Sequence, residues 1–178
     1  MRVLVDASGP LPFTSDSFRY VFSEHFIEHL DYAQAARFIA ECFRVLVPGG
    51  KIRIATPDLS FLIQLYGPEK TELQQRYIRW ASETFLPDAP LVQDTFVINN
   101  FFYAWGHKFI HDEESLTLLL KTEGFVEACR VNPWESEEAA LRHLESHGRL
   151  ISDEFNKLET FVMEAIKPAP DSLSGEGC

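Results

Sequence analysis

Residues 31–56 read DYAQAARFIAECFRVLVPGGKIRIAT. Asp31 is a natural N-cap, because its carboxylate can accept from a free backbone N–H of a first helical turn. Ala35, Phe38, Ile39, Cys42, Phe43 and Leu46 then recur at helical spacing and give a helix to about Leu46 one buried face. Pro48-Gly49-Gly50 is expected to stop that helix and turn the chain. Lys51 to Thr56 comes next as a strand, with Ile52 and Ile54 apolar. Upstream, Phe18 to Ser23 is rich in aromatic and branched residues and reads as another strand. Strand, helix, strand with short links is a right-handed parallel crossover, so the fold class is α/β.

The flanks extend this unit. Arg2 to Val5 reads as a short buried strand, and Ser8 to Asp16 as a loop broken by Gly9, Pro10 and Pro12. Pro57-Asp58 opens a short helix ending near Gly67. A longer helix, about Glu69 to Phe85, carries Leu73, Tyr77 and Trp80 on one side. Pro87 to Asp94 is a loop. Thr95 to Phe109 is dense in aromatics and partly helical, either one more core segment or a wall beside a pocket. Asp112 caps a helix to about Glu123, which Gly124 ends. Phe125 to Val131 is a strand, Glu138 to Glu145 is read as a helix, and Leu158 to Lys167 as a last strand. The expectation is one domain over residues 1–167, with a helical and aromatic insertion at about 58–110. Residues 168–178 form a tail of Pro, Ser and Gly expected to fray.

Composition removes several classes. The 178 residues are 46% hydrophobic and include fifteen Phe and three Trp, enough bulk for a real core. Sixteen basic against 27 acidic side chains give −11, a field that repels phosphate backbones, so no nucleic acid is expected as a partner. Residues 134–164 hold three basic and eight acidic side chains, read as a solvated acidic face. No apolar run approaches the roughly 18 residues of a membrane span, and no signal peptide is read at the start. Cys42, Cys129 and Cys178 are far apart and form no CxxC pair. A reduced, cytoplasmic setting is the expectation.

Three segments bear on function: Asp6-Ala7 with Leu11-Pro12-Phe13 and Asp16-Ser17-Phe18; Ser23-Glu24-His25-Phe26-Ile27-Glu28-His29-Leu30; and Phe43 through Ile54. In this order they resemble the second half of a class I S-adenosylmethionine-dependent methyltransferase domain of the type 11 kind. Gly106-His107-Lys108-Phe109 and Glu123-Gly124-Phe125 are similar to the region after the core in those enzymes. The likeness covers about residues 6–130. It implies a Rossmann-like, mainly parallel sheet, here of five strands with helices on both faces, closed by an antiparallel last strand. It also implies S-adenosylmethionine as cofactor and methyl transfer to an unidentified acceptor.

Ligands in such folds sit beyond the carboxyl ends of the strands. The resemblance therefore implies cofactor binding by Asp6, Ala7, Leu11, Ser23, Glu24 and His25. Asp6 would accept from the adenine amino group, with the Ala7 backbone against the ring. Ser23, Glu24 and His25 would lie beside the methionyl and ribose part. His25 and His29 are the candidate catalytic bases, needed only where the acceptor must lose a proton. The family's GxGxG turn and ribose-gripping acid have no counterpart here, since Gly9 is the only early glycine. Relative to that fold the chain is read as N-terminally shortened. Losing two or three charged hydrogen bonds would cost roughly 3–6 kcal/mol of cofactor affinity. A non-catalytic methyltransferase-like partner is thus the alternative, with a second copy or a partner chain covering the exposed sheet edge.

Two metal readings compete for the same residues. His25-x-x-Glu28-His29 fits HxxEH, the inverted zinc-peptidase pattern, in which two histidines one helical turn apart share zinc and the glutamate acts as base, so a zinc metallopeptidase is a further alternative. His107 and His111 form another i, i+4 pair, which could complete a metal site only if their loop folds over residues 25–29. No metal ligand set is assigned from the sequence.

Overall fold

The structure, a computed structural model, describes residues 6–7, 9–147 and 151–170. Strand β1 spans Phe18–Glu24 and helix α1 spans Tyr32–Val45. The Asp31 carboxylate accepts from Gln34 N at 2.8 Å, and the Gln34 side chain returns a bond to Asp31 N at 3.0 Å, closing a capping box. Strand β2 spans Leu46–Pro57 and pairs in parallel with β1. Then come α2 (Leu59–Leu65), α3 (Glu72–Phe85), α4 (Asp94–Tyr103), α5 (Glu113–Thr122), β3 (Val126–Val131), α6 (Asp153–Glu159) and β4 (Thr160–Ile166). Short 3-10 turns cover Ile27–His29 and Ala139–Leu141.

The sheet order is β1-β2-β4-β3. Only β1–β2 is parallel; β4 runs antiparallel to both β2 and β3. The expectation of a mainly parallel, five-stranded sheet is corrected to a mixed four-stranded one among the described residues. The expected strand at Arg2 to Val5 lies outside them, as does the tail beyond residue 170. β4 is buried along nearly its whole length, as a strand sandwiched between two neighbours should be. α6 delivers the chain directly to its start, with Ser152 as N-cap.

Two boundaries shift for physical reasons. Helix α1 ends before Leu46, and Pro48-Gly49-Gly50 falls inside the span of β2 rather than in a turn ahead of it. Gly49 N–H bonds Lys167 O at 2.8 Å and Lys167 N–H bonds Gly50 O at 2.9 Å, so the pair extends the sheet. Gly50 is required by packing: a Cβ there would lie 2.8 Å from Val47 O and 3.0 Å from Arg19 O. The helix expected at Glu138 to Glu145 shrinks to the 3-10 turn, because Glu145 turns inward.

The core has two parts. On one face of the sheet, Ala35, Phe38, Ile39 and Cys42 of α1 and Leu116, Leu119 and Leu120 of α5 pack on Ile52, Ile54, Phe161, Met163 and Ala165. Burying each of the large aliphatic or aromatic side chains contributes about 1.5–3 kcal/mol. The opposite face carries Arg53, fully buried. Its Nε donates to Glu145 Oε1 at 2.6 Å, and its Nη1 to Glu164 Oε1 at 2.5 Å and Glu135 O at 2.8 Å. That ion cluster fastens the irregular segment 132–147 over the sheet. The second apolar cluster joins α2, α3, α4 and α6 through Phe61, Leu62, Tyr77, Ile78, Phe101 and Phe155. Among the described residues no helix is long and apolar enough to cross a membrane.

Candidate functional site

A cavity of about 410 Å3 opens where the C-terminal end of β1 and the turn after it face the helical cluster. Its floor is built by one local irregularity. His25 comes directly after β1, donates N–H to Ala55 O at 2.9 Å, and takes a left-handed backbone with φ +46°. That bend throws the chain into the 3-10 turn and points Glu28 inward, where it is 1% exposed. The Glu28 carboxylate faces His25 Nδ1 at 3.2 Å through Oε1 and accepts from Thr56 Oγ1 at 3.1 Å through Oε2. Burial works to raise its pKa, but the His25 hydrogen bond and the neighbouring histidines outweigh this and hold the carboxyl below its ordinary value.

His25 is itself held on two sides. Its Nε2 lies 3.4 Å from Thr160 Oγ1, and its ring stacks on His147 with centroids 3.9 Å apart. His147 Nε2 is 3.5 Å from Glu159 Oε1, and the Tyr77 hydroxyl donates a short bond to Glu159 Oε2. Burial first, and then Glu159, push the Tyr77 hydroxyl well above its ordinary pKa, so it stays a donor.

The third side is the loop after α4. Lys108 N–H and Phe109 N–H both donate to Glu28 O, at 2.7 and 3.2 Å. These bonds draw His107 over the turn, its ring centroid 5.0 Å from that of His29. His107 Nδ1 sits 2.7 Å from Phe101 O. Burial lowers the His107 pKa despite that bond, favouring the neutral ring. One ligand atom each from Glu28, His29 and His107 lie within 4.8 Å of one another. Trp80, Phe101 and Trp105 complete an aromatic wall, and among the described residues no Lys or Arg lines it.

The expected site residues separate into two groups. His25 and His29 meet around Glu28 in the cavity wall. Ser23 is buried in β1 just before them. The Glu24 carboxylate accepts from Ser146 N at 2.8 Å, Ser146 Oγ at 2.8 Å and His147 N at 2.9 Å, so this chain's own loop engages it. Leu11 lies away from the cavity, its N–H on Glu41 Oε2 at 2.7 Å and its carbonyl on Arg44 Nη2 at 3.0 Å. Asp6 is exposed, and Ala7 packs at the edge of the α1 core. None of these three lines the cavity.

The two metal patterns are redrawn. His25 and His29 do not share a helical face, because His25 precedes the 3-10 turn in a left-handed conformation. His107 does fold over residues 25–29, but His111 points elsewhere, with Nδ1 3.3 Å from Ser115 Oγ. Tyr77 was legible only as part of an apolar helix face, and Thr56, Thr160, His147 and Glu159 carried no site signal, since only tertiary packing brings them together.

The methyltransferase-domain family model matches residues 2–54. A search of curated protein sequences gave no match. Among solved structures, the chain is similar to a "possible exported protein" of Bordetella parapertussis, with 12% identity and TM-score 0.55, covering 93% of this chain and 43% of that one. It is also similar to a structure from Haloferax volcanii, a complex of the Trm112 methyltransferase activator with a methyltransferase, with 13% identity and TM-score 0.51, covering 93% and 60%. A S-adenosylmethionine-dependent methyltransferase from Archaeoglobus fulgidus aligns with 20% identity and TM-score 0.48, covering 87% and 62%. The chain thus spans between 43% and 62% of the length of these structures. Segment 2–54 is thus similar to a methyltransferase domain, and the chain shares a Rossmann-like α/β fold with the solved structures.

Proposed function

We propose that this chain takes part in S-adenosylmethionine-dependent methyl transfer, with the acceptor seated in the 410 Å3 cavity. The observation that carries this reading is the His25–Glu28 pair at the carboxyl end of β1, opening onto an aromatic wall. Ligands of open α/β sheets gather at that edge. The wall also fits the charge of the donor. Glu28 and Glu159 bring two carboxyl groups, Tyr77, Trp80, Phe101 and Trp105 bring ring faces, and cations are held by both. When bound, S-adenosylmethionine supplies a methyl group already activated on a sulfonium. What is left for the protein is positioning and, for some acceptors, a proton.

The residues divide those tasks. Trp80, Phe101 and Trp105 exclude water and fix the plane of an apolar acceptor. Glu28 orients His25 through Nδ1, and Nε2, 3.4 Å from Thr160 Oγ1, takes the proton of an oxygen or nitrogen acceptor that replaces the Thr160 hydroxyl as its partner. Asp6, Ala7, Ser23 and Glu24 are proposed for the remainder of the cofactor, along the strand edge. The acceptor is a small molecule with an apolar body, by the chemistry of the wall.

A calorimetric titration of the folded chain with S-adenosylhomocysteine tests this. Micromolar binding, weakened at least tenfold by Asp6→Ala, is expected. No heat at millimolar ligand would overturn it. The second reading, a non-catalytic partner of a methyltransferase, is favoured by the engagement of Glu24 with Ser146 and His147. The structural neighbour from Haloferax volcanii was solved with a methyltransferase activator. Absent cofactor binding, co-purification with a methyltransferase chain is the outcome that supports it.

A further inference from the structure

We propose that Glu28, His29 and His107 form a site for one divalent transition-metal ion. The ligand atoms come from two segments far apart in sequence and lie within 4.8 Å of one another. Two imidazoles and one carboxylate are a ligand set that zinc and other first-row ions take. Bonds of about 2.0–2.1 Å in tetrahedral geometry place ligand atoms roughly 3.4 Å apart. Closing the cluster from within 4.8 Å to that spacing brings the ligand atoms about an ångström nearer one another.

Support around the ligands distinguishes this cluster from a chance meeting of polar groups. Metal-bound histidines commonly donate the other ring nitrogen to a carbonyl or carboxylate, which fixes the tautomer. His107 Nδ1 stands 2.7 Å from Phe101 O, leaving Nε2 as the ligand atom. The Glu28 carboxylate is buried and is oriented by Thr56 Oγ1 and His25 Nδ1. Lys108 N–H and Phe109 N–H tie the His107 loop to Glu28 O. Ligands and supports are thus cross-linked before any ion arrives.

This arrangement also reassigns the sequence pattern. In the HxxEH reading the glutamate is the base and His25 a ligand. Here Glu28 is the ligand and His25 its support. Three protein ligands leave a fourth position, the pattern of a catalytic rather than a structural site. That position faces the aromatic cavity, so it would take an oxygen or nitrogen atom of whatever molecule sits there.

The test uses the tag-free chain, stripped with a chelator and titrated with zinc against a chromophoric competitor. One ion per chain is expected. Affinity should fall at least ~100-fold in His29→Ala and in His107→Ala, and stay within twofold in His143→Ala, an exposed control. Cobalt substitution reads the same site in the unmutated chain and does not depend on the variants folding. Intense visible bands of a four- or five-coordinate ion are expected. Absence of zinc binding by the folded chain would overturn the proposal. Binding unchanged in both histidine variants, or a cobalt spectrum of a six-coordinate hydrated ion, would do the same. The site is read with metal alone, so its failure leaves the methyl-transfer reading standing.

Discussion

Arg53→Met is the perturbation whose size can be worked most directly from the structure. Arg53 is fully buried on a central strand and donates to two carboxylates and two carbonyls, Glu145, Glu164, Glu135 O and Asn132 O. Methionine fills most of the volume and supplies none of the donors. Glu145 keeps one partner, Trp134 N–H at 2.9 Å, whereas Glu164 is left buried beside it without a cation. Removing one member of a buried ion cluster costs about 3–5 kcal/mol, because the stranded charge dominates the loss. For a chain of this length that is a fall in Tm of roughly 6–20 °C. Urea denaturation monitored by circular dichroism gives the loss. A variant that also carries Glu145→Gln and Glu164→Leu should recover most of it, since a matched apolar replacement is often neutral. Hydrogen exchange adds a local readout: the amides of Ser146 and His147, held by Glu24, should lose protection first in Arg53→Met. A loss below about 1 kcal/mol, or amides at 146 and 147 as protected as before, would refute the idea that this cluster fastens the segment.

Two further perturbations probe the packing around the site. Burial holds the His111 imidazole down at about 4 from an ordinary 6.5, so the unfolded chain binds its proton first as pH falls. Its contribution is complete above pH 6.5 and is lost between there and pH 4, about 3 kcal/mol in all; the difference in urea stability between the wild type and His111→Leu should show that slope, and parallel pH profiles would refute it. Gly124 has φ +97°, and a Cβ there would sit 3.2 Å from the Phe43 ring. Gly124→Ala should therefore cost about 1–2 kcal/mol, more than Gly49→Ala, where φ is +78° with open space around it; equal losses would show that the ring contact is immaterial.

What was legible in the sequence was local. Asp31, Asp112 and the apolar stripe of α1 specify helix ends and a buried face within a dozen residues of themselves, and the structure has them there. The parallel pairing of β1 with β2 came from the short helical link between them. Arg53 was not legible. On an alternating strand it reads as a solvent-facing position, and its partners lie 92 and 111 residues away. The antiparallel last strand was implied by the resemblance and is found as β4; its place between β2 and β3, which makes two of the three pairings antiparallel, was hidden because tertiary pairing alone sets it. In the site, His25, Glu28 and His29 could be named because one turn carries all three. The His107 and His111 spacing misled in part: the segment between them is not helical, so one ring goes inward and the other away.

Glu28 is where these levels meet. Its side chain bonds the end of β1 through His25 and the end of β2 through Thr56, and its carbonyl receives both amides of the His107 loop. One residue thus sets the distance between the sheet and the loop after α4. A buried carboxylate is tolerated only where something balances its charge. Glu159 adds a second carboxyl group to the same wall, and among the described residues no Lys or Arg lines the cavity. The local balance calls for a cation, and both proposals supply one, either the sulfonium of a methyl donor or a divalent ion. They differ in where the charge sits. A metal ion must touch Glu28 itself, whereas a sulfonium needs only the field of the wall and its rings. His107→Ala therefore separates them: it removes a metal ligand outright, while retaining both carboxyl groups and the Trp80, Phe101 and Trp105 faces that a sulfonium would meet.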